Sequence, residues 1–168
     1  MLRIFYSLLI LFFLFVNPVY SARDTDSYDG NIYPIYAGNG SLVPPSSTLS
    51  ESLKNERTSV LVFYLDDSAV SKQYAPVVSG IKLLWSSSVD LIPLSIDELD
   101  NDDQKTFKDP GYYWHGKIPQ TVIIDGKGNV LLDEEGQVSF EDINDAITKG
   151  TGLKKPDFDL TVKSFNEY

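Results

Sequence analysis

Between Val60 and Trp85 the chain changes its hydrophobic period once, and that change limits what it can fold into. Val60, Leu61, Val62, Phe63, Tyr64 and Leu65 form an almost continuous apolar run. Such a run is the pattern of a strand buried on both faces of a largely parallel sheet. Asp66 and Asp67 end it. From Ser71 onward Tyr74, Val77, Val78, Ile81, Leu84 and Trp85 recur at three and four residues, which places them on one face of a helix. Ser68 is positioned to cap that helix, because a serine oxygen can accept from the free amides of a first turn. Pro76 falls inside it and is expected to bend the axis.

A strand, a polar four-residue corner and a helix carrying an Ala-Pro step resemble the active-site corner of the thioredoxin fold. Registered on Ala75-Pro76, the family's two cysteine positions fall on Ser68 and Ser71, with Ala69 and Val70 between them and Lys72 after. The attacking species in disulfide exchange is a thiolate, and a serine hydroxyl neither ionises near neutral pH nor forms a disulfide. The chain contains no cysteine at all, so no resolving thiol, thiolate metal site or iron–sulfur cluster is available elsewhere in it. The resemblance also covers Tyr112-Tyr113-Trp114-His115-Gly116-Lys117-Ile118-Pro119. It implies that Pro119 is cis, faces the corner, and sets the backbone groups of Ile118 beside Ser68 and Ser71. From the residues alone, a proline opening a strand is ordinary.

Residues 1–21 hold one early charge, Arg3, an apolar run from Ile4 to Val16 relieved only by Ser7, and a small-residue exit at Val19-Tyr20-Ser21. That order reads as a secretory signal cut after Ser21, with a retained N-terminal membrane anchor as the alternative. Without those residues the balance is 13 basic to 24 acidic side chains. Such a balance argues against nucleic acid, and against an anionic membrane surface, as the partner of the domain. Roughly 147 residues remain, enough for one core without staples. Residues 22–47 form an extended, turn-rich segment, within which Asn31 to Ala37 reads as an edge strand. Asn39-Gly40-Ser41 matches the glycosylation acceptor pattern, while Gly38-Asn39-Gly40 lacks the context of a phosphate loop and reads as a tight turn. Thr48-Leu49-Ser50-Glu51 has the form of a capping box opening a helix to Arg57, with Leu49 and Leu53 inward.

Val89 to Ile96 reads as a buried strand pushed toward a sheet edge by Pro93. The acidic run Asp97 to Asp103 has Asp102 and Lys108 where a calcium loop needs glycine and glutamate, so it reads as a solvated loop leading into a short helix. Gln120 to Asp125 and Val130 to Asp133 are strands of a hairpin turned at Gly126-Lys127-Gly128-Asn129. Ser139 caps a final helix with Phe140, Ile143, Ala146 and Ile147 on its apolar stripe, ended by Gly150 or Gly152. His115, the only histidine, is a poor metal ligand alone and reads as an exposed loop side chain.

The summed reading is an α/β, thioredoxin-like three-layer fold. It has a central mixed sheet of four to five strands flanked by helices and preceded by an N-terminal extension. The domain spans residues 48–152, and residues 153–168 form a tail. Within that class the chain resembles cyanobacterial and plastid thioredoxin-like proteins described as thylakoid photosystem I accumulation factors. The residues that carry this are Tyr36-Ala37-Gly38-Asn39-Gly40-Ser41-Leu42-Val43-Pro44-Pro45, Val62-Phe63-Tyr64-Leu65-Asp66-Asp67-Ser68 and Lys72-Gln73-Tyr74-Ala75. The resemblance implies a protein at the thylakoid membrane, on its lumenal side, that helps photosystem I accumulate by binding a client protein, with residues 1–21 available for membrane association.

Two functional classes stand open. The first is a redox-inactive binding module, without metal or cofactor, whose groove is lined by Tyr64, Asp66, Asp67, Tyr74, Tyr113, Trp114, Ile118 and Pro119. The alternative for each aromatic is core packing or shielding of the sheet, and for Tyr64 and Tyr74 the two readings weigh the same. The second is a hydrolase using Ser68 or Ser71 as nucleophile with His115 as base, which needs hydrogen-bond reach between them.

Overall fold

The structure, a computed structural model, describes residues 30–85, 87–99 and 105–155. The signal or anchor expected at residues 1–21, the helix expected after the acidic run and most of the tail lie outside the described residues. Four strands form one sheet: β1 (Ser59–Tyr64), β2 (Asp90–Ser95), β3 (Gln120–Ile124) and β4 (Val130–Glu135), in the order β2-β1-β3-β4. β1 runs parallel to β2 and antiparallel to β3, and β3 pairs antiparallel with β4. Every residue of β1 is buried, as the continuous apolar run requires of a central strand. Pro93 lies in β2, at one edge of the sheet.

Helices α1 (Ile32–Ala37), α2 (Leu49–Lys54), α3 (Ala69–Trp85) and α4 (Phe140–Thr151) cover the sheet. Val60, Val62, Tyr64 and Ile123 point into one core with Tyr74, Val78, Ile81 and Trp85 of α3 and Ile143 and Ile147 of α4. Leu61, Phe63, Val122 and Ile124 point into the other, with Leu49 of α2, Ile92 and Tyr113. Successive strand residues thus feed opposite cores, each fully buried aliphatic or aromatic side chain contributing about 1.5–3 kcal/mol. The connectivity, β1-α3-β2 followed by a β3-β4 hairpin and α4, is that of the thioredoxin-like α/β fold. α3 runs unbroken through Pro76, whose ring cannot donate to the Lys72 carbonyl. Trp85 is buried and donates from Nε1 to Asn144 Oδ1 at 2.7 Å, fastening α3 to α4.

Asn31 to Ala37 is a helix, not the edge strand that its stickiness suggested. Asn31 Oδ1 accepts from the Tyr33 amide as N-cap, Pro34 sits in the first turn where a missing N–H costs nothing, and Gly38 closes the end in the left-handed region. α2 has the capping box read from Thr48 and Glu51 but stops at Lys54 rather than Arg57. There the Arg57 and Glu56 amides turn back to the Ser52 and Leu53 carbonyls, with Glu56 at φ 52°. That turn meets the β3-β4 hairpin so closely that a Cβ on Gly126 would stand 2.1 Å from the Glu56 carbonyl oxygen. Backbone cannot yield as a side-chain end can. Gly126→Ala is therefore expected to destabilise the chain by about 2–3 kcal/mol, read as a lower denaturant midpoint, whereas Gly128→Asn in the same turn costs much less.

Candidate functional site

The corner after β1 is built from its two serines. Ser68 Oγ accepts from the Ser71 amide at 3.3 Å, and the Lys72 amide reaches the Ser68 carbonyl at 3.0 Å, so Ser68 caps α3. Ser71 is buried and its Oγ accepts from the Leu65 amide at 3.3 Å, satisfying the chain as it leaves the strand. Both hydroxyls are thus spent on backbone donors at the strand-to-helix turn. Ala69 and Val70, between them, are exposed.

Across from this corner the Ile118–Pro119 peptide bond is cis. Phe63 pairs with Gln120, and one further step of that register sets Pro119 beside Tyr64 at the end of β1. Pro119 is buried and Ile118 half-buried. The Pro119 carbonyl accepts from the Gly136 amide at 2.7 Å, while the Ile118 backbone makes no hydrogen bond to the described residues. The approach to Ile118 is fixed by Gln120, which is fully buried. Its Nε2 donates to the Tyr113 carbonyl and to Asp133 Oδ1, each at 2.7 Å, and its Oε1 accepts from the His115 amide at 3.0 Å. On the open side, Gln137 Nε2 donates to the Val70 carbonyl at 3.3 Å.

The residues expected to line a groove divide sharply. Asp67, Ser68 and Ile118 reach the surface beside Val70. Tyr64, Tyr74 and Tyr113 do not, because each is buried, and Trp114 packs on Phe63 with ring centroids 5.4 Å apart. The aromatic side chains are core. Tyr64 and Asp66 instead hold the N-terminal segment: Asn31 Nδ2 donates to the Tyr64 hydroxyl at 2.6 Å, the Ile32 amide donates to Asp66 Oδ1 at 2.9 Å, and Tyr33 stacks edge-on against Tyr64 at 5.1 Å. Neither Asn31 nor Gln120 stands out as a site residue in the sequence. The only signal for the first is its place as cap of a helix closed by Gly38.

His115 Nε2 is hydrogen-bonded to Asp133 Oδ2 at 2.8 Å and not to either serine. The Ser–His pair that a hydrolase would need is therefore not assembled. Among the described residues no group of three or more histidine and carboxylate side chains is arranged to hold a metal ion, and none of their helices is long and apolar enough to cross a membrane.

These features define a thioredoxin-like protein whose corner carries two serine hydroxyls bonded to backbone amides, and with no cysteine in the chain it cannot perform dithiol exchange. Over 152 residues it is 41% identical to thylakoid membrane protein slr1796 of Synechocystis sp. strain PCC 6803, an alignment covering 88% of this chain and 75% of that protein. The chain belongs to the family of that thylakoid membrane protein. No family model matches. Among solved structures it aligns with the exposed lipoprotein thioredoxin Etrx1 of Streptococcus pneumoniae at TM-score 0.47 and 14% identity, over 60% of this chain and 89% of that one. A Halobacterium salinarum thioredoxin variant aligns at TM-score 0.48 and 16% identity, over 63% and 85%.

Burial, opposed by hydrogen bonds from Thr121 and the Val138 backbone, pushes the Tyr74 phenol up to about 12. Burial, reinforced by the neighbouring Tyr64, Tyr74 and Asp66, holds Tyr33 well above its ordinary value. A raised folded-state value means that the neutral phenol stabilises the fold fully below about pH 10, and that this contribution is lost as pH rises through the folded value. Alkaline unfolding, followed by tyrosinate absorbance and circular dichroism together, is expected to set in between pH 10 and about 12. Tyr74→Phe, which leaves Thr121 Oγ1 without this partner, should lower neutral-pH stability by about 1 kcal/mol and flatten the alkaline limb.

Proposed function

We propose that this chain is a redox-inactive assembly or stability factor that supports photosystem I accumulation at the thylakoid membrane by binding a client protein. The observation that supports it most is the pairing of a thiol-free corner with an unoccupied Ile118 backbone. Ile118 is half-buried and its backbone N–H and C=O are not bonded to the described residues, while Gln120 holds the loop that carries it. An extended peptide can pair with such groups through its own backbone, which gives affinity without chemistry. Family membership with a thylakoid membrane protein supports the compartment, and the resemblance carried by Tyr36 to Pro45 supports the photosystem. Residues 1–21 deliver the domain to the lumenal side, as a cleaved signal or a retained anchor.

In a strain of the source organism lacking this gene, photooxidisable P700 per cell should fall while photosystem II content is retained, and the wild-type gene should restore it. Gln120→Ala, which removes the hydrogen bonds that hold the Ile118 loop to Tyr113, His115 and Asp133, should fail to restore P700 even where immunoblots show normal protein levels. Unchanged P700 in the deletion strain under both low and high light would remove the photosystem assignment.

A further inference from the structure

The chain carries 24 acidic residues, yet one face of the fold has none. Residues 30–50 contain no charged side chain, and residues 68–85 contain only Lys72 and Lys82. The structure brings these two stretches together, because α1 and the loop after it lie across α3. Asn39 Nδ2 donates to Ser79 Oγ at 3.0 Å, and Lys72 Nζ stands 5.5 Å above the Tyr36 ring. Lys82 and Leu83 share a depression of 450 Å³ with Ala37 and Gly38. Lys72 and Leu83 are eleven residues apart, about three helical turns, and so lie on one side of α3.

The same face exposes large apolar side chains. Leu83 is 73% exposed, Ile35 60% and Tyr36 50%. Their inward neighbours Ile32 and Tyr33 are fully buried, so α1 is apolar on both sides. Neither Lys72 nor Lys82 forms an ion pair among the described residues. The acids at its border are Asp66, which accepts from the Ile32 amide, and exposed Asp67 before α3, and, on α4, Glu141 and Asp145, paired with Lys155, and Asp142, bonded to Ser139. Apolar side chains, a tyrosine and two long-stemmed lysines, free of acids, are the composition that settles at a bilayer interface. The position in the chain points the same way: fifteen residues separate the end of the apolar run at Val16 from Ile32.

We propose that the acid-free face of α1 and α3, centred on Ile35, Tyr36, Lys72, Lys82 and Leu83, docks on the surface of a lipid bilayer. The apolar side chains enter the headgroup region and the lysines meet anionic lipid. The acidic remainder of the surface, including Asp133, Glu134 and Glu135 of β4, is kept away from the lipid by the same charge segregation. This docking goes beyond client binding and stands without it, since it uses none of the groups around Ile118.

The absence of cysteine makes the test clean, because one introduced thiol is the only labelling site. Full-length chains carrying Tyr36→Cys, Leu83→Cys or, as the control on the β3-β4 turn, Lys127→Cys are labelled with a fluorophore. They are then reconstituted in vesicles of phosphatidylcholine and phosphatidylglycerol. Quenching by acrylamide at positions 36 and 83 should fall about threefold or more relative to position 127. Adding Lys72→Glu and Lys82→Glu should restore it. Equal quenching at all three positions would overturn the proposal. Protection at 36 and 83 that rises with protein density at fixed lipid would also overturn it, because a second copy would then be the occupant.

Discussion

The fold depends on β1 being dry on both sides. A strand that feeds two cores leaves its end no freedom: Tyr64 and Leu65 must deliver the chain to α3 without an unpaired amide, and the two serines of the corner supply the acceptors. The hydroxyls at these positions therefore have a structural task. Ser68 and Ser71 are hydrogen-bonded parts of the turn, and their chemistry is committed to holding the backbone together. The corner is a joint.

The N-terminal segment acts on that joint from the other side. Asn31 reaches Tyr64 and the Ile32 amide reaches Asp66, so the residues that end β1 are also those that receive the segment entering the domain. This accounts for why Tyr64 and Asp66, which invite a binding role when read in isolation, are unavailable for one. On the opposite face the loop carrying Ile118 is set by Gln120 and Asp133.

Much of this was legible in the sequence. The change of period at Asp66, the capping box at Thr48, the Ser139 cap and the Gly-Lys-Gly-Asn turn are local signals whose physics survives any tertiary context, and each sits where it was read. What failed had nonlocal causes. Asn31 to Ala37 looked like a strand because six sticky residues carry no period of their own; what made it a helix was a cap at each end and an apolar shelf on α3 to lie across. Tyr64, Tyr74 and Tyr113 looked like groove walls because an aromatic near a corner is ambiguous between lining and core. Partners distant in sequence decide it for two of them: Asn31, 33 residues upstream, for Tyr64, and Thr121, 47 residues downstream, for Tyr74. Net charge is a sum over the chain, so it carries no information on how the acids are distributed between faces.

The two edges of the sheet carry a consequence for how any partner can attach. An edge strand is a template for another strand unless something spoils it. β2 has Pro93, which offers no amide, and β4 ends in Asp133, Glu134 and Glu135, a run of like charge that repels a neighbouring strand with the same pattern. Sheet extension, whether by a client or by stacked copies of the chain, is discouraged at both ends. In a crowded compartment that makes the molecule a poor seed for aggregation. It also turns recognition away from strand addition and toward helix faces and single exposed turns.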